Sequence, residues 1–313
     1  MRANCRILFR GKPREPMNQM YFRPTPVPPA GGLLLSPPGD GGVFLNIPPP
    51  DGASDKSRLL ADFRMALAAD DQLSLAYQPR IALATGQCRS VEALIRWQHP
   101  TRGHIPPGDF IPLIENTGLI AQLTDWVLNA AMAFALRLLK AGHCVRVSAN
   151  VAPANLVMGY LAGRLVELVG LHGLPPSMME LEITEGALIG DDSRTRRQLA
   201  QIRRAGFAVA IDDFGAGYSN LRYFRQIPAD IIKIDRSLVM DIETDPASAT
   251  ILQWLISLGH ELGFRMVAEG LETAQTCRTL TEWGCDEGQG FFLSRPMAGP
   301  ELLRWLSQRH IGA

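Results

Sequence analysis

Downstream of Ser57 the chain alternates short apolar, β-branched runs with longer amphipathic stretches, and this alternation constrains the fold more than any other feature. Strand-like runs fall at 73–79, 90–97, 145–150, 179–184, 207–212, 231–234 and 265–268, with a shorter one around 288–292. Helical periodicity occupies 119–141, 193–205, 247–262, 274–283 and 300–309, after a first helix that Ser57 can cap and that runs through Ala69. Strands separated by helix-length connections pack as a parallel sheet with crossover helices, which is the α/β class. About eight strands without a Rossmann-type opening predict a closed barrel, not an open sheet. No internal repeat is evident.

The first 56 residues have a different texture. Eleven of the 23 prolines lie within residues 1–50, mixed with glycines, as in Thr25-Pro26-Val27-Pro28-Pro29 and Ile47-Pro48-Pro49-Pro50. Proline removes backbone donors and fixes φ, so residues 1–56 read as an extended, disordered leader and 57–313 as the barrel. In the opening of this leader Arg2, Arg6, Arg10, Lys12, Arg14 and Arg23 face only Glu15. That basic opening fits either weak contact with anionic surfaces or a solvated tail. Met17 or Met20 can equally mark the true start.

Over the whole chain, 31 basic residues balance 31 acidic ones, so no global field favours polymeric nucleic acid or a membrane surface. An anionic ligand must therefore be held by a local site. Cys5, Cys88, Cys144, Cys277 and Cys285 are scattered and form no CxxC pair. Neither a disulfide framework nor a structural zinc site is expected; reduced thiols in the cytoplasm are. No apolar run is expected to reach the roughly 20 residues of a membrane span, and no secretory signal opens the chain.

The chemistry is written at the strand ends. With a period of two, Glu92, Leu94 and Arg96 share one face of their strand, so a carboxylate and a guanidinium can hold a metal and an anionic substrate. Asn150 ends the next strand, Glu182 lies within another with Glu185 just past it, and Asp212-Asp213 close the one after. Lys233 and Asp235, then Glu269 and Glu272, and finally Gln289 follow. Carboxylates crowded at one barrel mouth repel one another and take up protons unless a cation neutralises them. All-oxygen donors suit Mg²⁺ or Mn²⁺, and adjacent aspartates can let one carboxylate bridge two ions, as two-metal phosphoester hydrolysis requires. Any one of these carboxylates alone reads as a salt bridge or a helix cap. Gly215-Ala216-Gly217 begins a dinucleotide-type pattern, but Asn220 stands at the third glycine position. The six histidines show no HxxxH spacing, which disfavours zinc.

Taken in order, these segments resemble the EAL family of bacterial cyclic di-GMP phosphodiesterases. The resemblance runs from about Ser57 to His310. It rests on Tyr77-Gln78-Pro79, Glu92-Ala93-Leu94 with Arg96-Trp97, Phe110-Ile111-Pro112, Glu115-Asn116-Thr117-Gly118 and Asn150. Glu182-Ile183-Thr184-Glu185, the run Asp212 to Ser219, Lys233-Ile234-Asp235, Ala268-Glu269-Gly270-Leu271-Glu272 and Gln289-Gly290 complete it. It implies a TIM-like (β/α)8 barrel with an antiparallel first strand, and hydrolysis of cyclic di-GMP to linear pGpG. It further implies Glu92, Asn150, Glu182, Asp212 and Asp213 as metal ligands, Glu269 as a metal-site carboxylate or general base, and Lys233 orienting the attacking hydroxide. Gln78, Arg96 and Asp235 are then substrate contacts, with Gln289 supporting the site. Glu185, with Glu272, is implied to anchor the loop from Phe214 to Leu221, which in the family links the metal site to a homodimer interface. Two departures stand out: Arg80 replaces a usually aliphatic residue and Phe291 a commoner tyrosine. No diguanylate-cyclase motif is present; Gly39-Asp40-Gly41-Gly42 lacks the flanking domain.

Two other readings compete. An EAL-like module that binds the dinucleotide or a protein without turnover generally lacks ligands, and here the set is complete. Enolase-type proton abstraction needs a Lys or His base opposite the metals, and Lys233 alone keeps that open.

Overall fold

In the computed structural model the strands Leu73–Ala82 (β1), Cys88–His99 (β2), Arg146–Asn150 (β4), Met179–Thr184 (β5), Ala208–Phe214 (β6), Ile231–Ile234 (β7), Arg265–Ala268 (β8) and Glu287–Gly288 (β9) close into a barrel. Two short strands, Gly103–Ile105 (β3) and Met297–Ala298 (β10), add to β2 and β1. Residues 54–188, 193–216 and 227–309 are described. The proposed leader falls almost wholly outside them.

From β2 to β9 every barrel neighbour is parallel, whereas β1 runs antiparallel to both β2 and β9. The reason is local. Only residues 83–87 separate β1 from β2, too few for a crossover helix, so the pair forms a hairpin. Gly86 sits in its turn at φ +68°.

Strand periodicity sorts the side chains into two cores. Val91, Ala93, Leu181, Ile183, Ile232 and Ile234 face the surrounding helices in one large apolar cluster. The inward set is mostly polar, and its buried apolar cluster among the described residues is small: Ala210, Ile231 and Val267 with Ala208 packed against it. Glu92, Glu180, Glu182, Lys233 and Gln289 are all buried. A barrel interior is normally filled by branched apolar residues, so charge here requires a specific cause.

Most expected elements appear, with informative shifts. The first helix spans Asp55–Ala68 and its cap is Ser54, which accepts from the Ser57 amide; Ser57 itself lies in the first turn. The last barrel strand, β9, ends at Gly288 because Gln289 turns to bond the Ala268 carbonyl and the Leu271 amide. A Cβ on Gly290 would lie 2.2 Å from the Leu271 backbone, so this crossing needs glycine. Helices Pro107–Ile114, Pro153–Val157, Leu161–His172 and Arg236–Met240 were not anticipated. The expectation about apolar runs needs correction: the helix Leu119–Lys140 is long and apolar enough to cross a membrane by composition. Its apolar face, including Leu123, Val127, Ala131, Phe134 and Leu138, is buried in the core instead.

Candidate active site

All eight barrel strands deliver polar groups to the mouth, from within the strand or from the residue just past its end. The register sets Gln78 of β1 opposite Glu92 of β2, and Asn150 of β4 beside Glu182 of β5. Glu92 is gripped from two sides: Asn150 Nδ2 donates to Oε1 at 2.8 Å and Gln289 Nε2 to Oε2 at 2.7 Å. Gln289 also donates to Gln78 Oε1 at 3.2 Å, while Gln78 Nε2 donates to the Ser294 carbonyl at 3.1 Å. These amides fix the orientation of the first carboxylate.

Lys233, 1% exposed, is the hub. Its ammonium lies 2.7 Å from Glu182, 2.7 Å from Glu269, 2.9 Å from Asp212 and 3.6 Å from Glu92. Burial disfavours this cation, yet the four carboxylates raise its pKa well above the usual lysine range. A single positive charge cannot neutralise four negative ones. Burial drives Glu182 well above the carboxylate range, with repulsion from Glu92, Asp212 and Glu180 outweighing the pull of Lys233. Glu269 is pushed to about 7, again chiefly by burial, against the pull of Lys233. Burial also works against the Glu92 anion, but Lys233 and the bonds from Gln289 and Asn150 hold it below the normal range.

Asp213 differs from Asp212. It is exposed, adopts left-handed φ of +54°, and donates its amide to Asp212 Oδ1 at 3.0 Å. Aspartate tolerates that region better than most side chains. Burial and the neighbouring Asp212 raise its pKa.

Two carboxylate groups are close enough to share a cation: Glu92, Glu182 and Asp212, and Asp212, Asp213 and Glu269, each with ligand atoms within 4.8 Å of one another. Asp212 belongs to both, as a bridging ligand must. Glu182 Oε1 is buried without a hydrogen-bond partner among the described residues. Oxygen-only donors, excess negative charge and an unsatisfied carboxylate oxygen together fit a divalent metal.

The remaining expected residues fall around this centre. Arg96 is half-buried, donates to the Ile95 carbonyl at 2.8 Å and interacts with the charge of Glu92. Asp235 caps the helix Arg236–Met240, accepting from the Ser237 amide at 2.9 Å and hydroxyl at 2.5 Å. Glu185 accepts from the Gly215 amide at 3.1 Å, at the start of the expected loop, whose residues beyond Ala216 lie outside those described. Glu272 is exposed and lines a cleft of about 210 Å³ together with Gln78, Glu92, Asp212, Lys233 and Glu269. Arg236 and Phe291 also line that cleft, and neither was anticipated as a site residue. The signal for Arg236 was its place one residue beyond a strand-end aspartate.

A barrel with this mouth defines an α/β enzyme fold whose acidic clusters could hold a metal ion, and comparison with known proteins narrows it. The EAL domain family model matches residues 60–296, and the chain belongs to the EAL domain family. It is 39% identical over 260 residues to the cyclic di-GMP phosphodiesterase PA2567 of Pseudomonas aeruginosa, covering 83% of this chain and 44% of that protein. It is 41% identical over 255 residues to the cyclic di-GMP phosphodiesterase NbdA of the same organism, covering 81% and 32%. The chain thus spans less than half the length of these relatives. Among solved structures, the PaMucR phosphodiesterase in complex with c-di-GMP superposes with a TM-score of 0.74 at 39% identity, covering 78% of this chain and 99% of that one.

Proposed function

We propose that this chain is a divalent-metal-dependent phosphodiesterase that opens one phosphodiester of cyclic di-GMP to give linear pGpG. The observation that carries the reading is the mouth itself: four carboxylates from four strands converge on one lysine and remain under-neutralised. Family membership supports it, as does the cyclic di-GMP activity in the names of the two relatives.

Glu92, Asn150, Glu182, Asp212 and Asp213 are the proposed ligands for one or two Mg²⁺ or Mn²⁺ ions, with Glu269 completing the set. When bound, the metal supplies Lewis acidity, lowering the pKa of water and offsetting charge on the phosphoryl oxygens. If Glu269 is not itself a metal-site carboxylate, it is the proposed general base that takes the proton of the attacking water. Lys233 presents a permanent cation beside the same oxygen. Attack forms a new phosphorus–oxygen bond and breaks the bond from phosphorus to the 3′-oxygen, which leaves as a hydroxyl after gaining a proton. Gln78, Arg96 and Asp235 are proposed substrate contacts, and Gln289 keeps Glu92 in place. Glu185, held to Gly215, is the proposed anchor of the following loop, with Glu272 beside the cleft and a homodimer as the working assembly. Residues 1–56 are proposed as a leader outside the barrel, and the cytoplasm as the compartment.

The test is conversion of cyclic di-GMP to pGpG by the purified chain with Mg²⁺ or Mn²⁺, followed by chromatography. EDTA and Glu92→Ala should each reduce turnover by about a thousandfold or more, the scale expected when a metal or its ligand is lost. Tight binding of the dinucleotide with no turnover in excess metal would reassign the domain as a silent binding module.

A further inference from the structure

Below the mouth lies a second charged layer, and Arg80 is its most deeply buried cation. Arg80 follows Gln78 on the inward face of β1 and is 1% exposed. Its Nη1 and Nη2 donate to the two oxygens of Glu180 at 2.7 and 2.9 Å, and its Nε donates to Glu287 at 2.7 Å. Three fixed donors leave a planar guanidinium no freedom to turn. In that fixed orientation Nη1 lies 3.7 Å from Glu182 Oε1. This is the carboxylate oxygen that otherwise lacks a partner, while Lys233 takes Oε2 at 2.7 Å.

We propose that Arg80 is a positioning residue for the proposed metal site: clamped by Glu180 and Glu287, it holds Glu182 from below in the arrangement that accepts a divalent cation. The inference rests on the metal-dependent reading of the mouth. A purely structural role would require only that Arg80 neutralise Glu180 and Glu287, but each has another arginine nearby. Arg146 lies 3.4 Å from Glu180, and Arg265 lies 3.7 Å from Glu287. Among the described residues Glu182 has no such alternative on its lower side; its ion pairs are Arg80 below and Lys233 above. The charge of Arg80 is matched by Glu180 and Glu287, so it orients Glu182 without strongly opposing a divalent ion. Groups that orient metal ligands in this way change metal affinity by roughly 10- to 100-fold when removed.

The experiment is Mn²⁺ titration calorimetry on the full chain, stripped with EDTA and dialysed, with thermal melts recorded on the same samples. The decisive variant is the double substitution Arg80→Gln with Glu287→Gln. It removes one positive and one negative charge, so the layer keeps its net charge and Glu180 keeps Arg146. Weakening of Mn²⁺ binding by about tenfold or more in a folded protein is expected. A folded double variant with the parent's Kd overturns the inference, whatever its melting temperature. If the double variant does not fold, Arg80→Lys replaces it, keeping the charge without the fork. It is expected to weaken Mn²⁺ binding about threefold or more, and the parent's Kd in that variant also overturns the inference. Failure of the parent chain to bind Mn²⁺ would sink the metal reading itself, so the two failures are distinguishable.

Discussion

The two charged layers inside this barrel are built on the same strands and differ in their charge balance. In the floor, Arg80, Arg146 and Arg265 face Glu180 and Glu287, so each anion has a cation of its own. In the mouth, a few ångströms above, Lys233 alone faces Glu92, Glu182, Asp212 and Glu269. The floor is complete as it stands, and its loss should be felt as instability. The mouth is complete only with additional positive charge, supplied by protons or by a metal. The same side chain, glutamate on β5, is structural at position 180 and a proposed ligand at 182 because its partners differ.

The largest expected break in this comparison is at the floor. Arg80→Ala leaves Glu180 and Glu287 buried with weaker counter-charge, and removing one partner of a buried pair costs about 3–5 kcal/mol. Urea unfolding of the metal-free protein should show an unfolding free energy lowered by that amount, with Glu180→Gln milder because Arg80 keeps Glu287 and the glutamine oxygen as acceptors. A change within about 0.5 kcal/mol for Arg80→Ala would mean that the layer is solvated and that the distinction between floor and mouth is false.

How much of this was legible in the sequence follows the same line. The barrel strands could be read from apolar runs, and Met179–Thr184, Ile231–Ile234 and Arg265–Ala268 match their expected bounds. The mouth could be read because each acidic residue sits at the end of a run, where polarity is out of place. The floor was equally present in the period of two that pairs Gln78 with Arg80 and Glu182 with Glu180, but within a strand one charged residue does not reveal its partner. Glu287 lies more than 200 positions from Arg80, and only closure of β9 onto β1 brings them together. The helix Leu161–His172 was missed although the spacing of Leu161, Leu165, Leu168 and Val169 and the glycine at 173, which the structure places at φ +61° where the helix stops, carried its signal. The capping role of Asp235 was not, because strand-end aspartates cap helices and bind ligands with the same local pattern.

The mouth should respond to pH in a way the floor does not. Glu269 has a folded pKa of about 7 and Glu182 is raised well above the normal range, so both hold protons that a metal must displace. The increase in melting temperature produced by saturating Mn²⁺ should therefore grow from pH 6 to pH 8, by about several degrees. Glu180→Gln, if it folds, should retain this slope, since it leaves Glu182, Glu269 and Lys233 in place. A pH-independent Mn²⁺ shift would contradict the picture of a proton-loaded mouth.

The smallest effect, and the sharpest in sign, comes from Glu182→Gln without metal. A carboxylate whose folded pKa lies above its unfolded value, near 4.5, binds a proton in the folded state that the unfolded chain has already released. Stability then falls as pH rises between the two values, and the loss is greatest once pH passes the folded one. Glutamine mimics the protonated side chain at every pH, so the variant escapes that loss. In urea the advantage of the variant over the parent should grow from acid pH to pH 8, the direction set by the raised pKa of Glu182. Mn²⁺ should reverse the order at pH 8, because only the parent gains the full stabilisation of binding. The corresponding floor substitution, Glu180→Gln, should destabilise at both pH values, since burial there is more than offset by Arg80 and the Glu180 pKa is lowered. Two glutamates separated by one residue would then move stability in opposite directions at pH 8, and equal signs for the two would remove the basis for separating a structural layer from a metal-binding one.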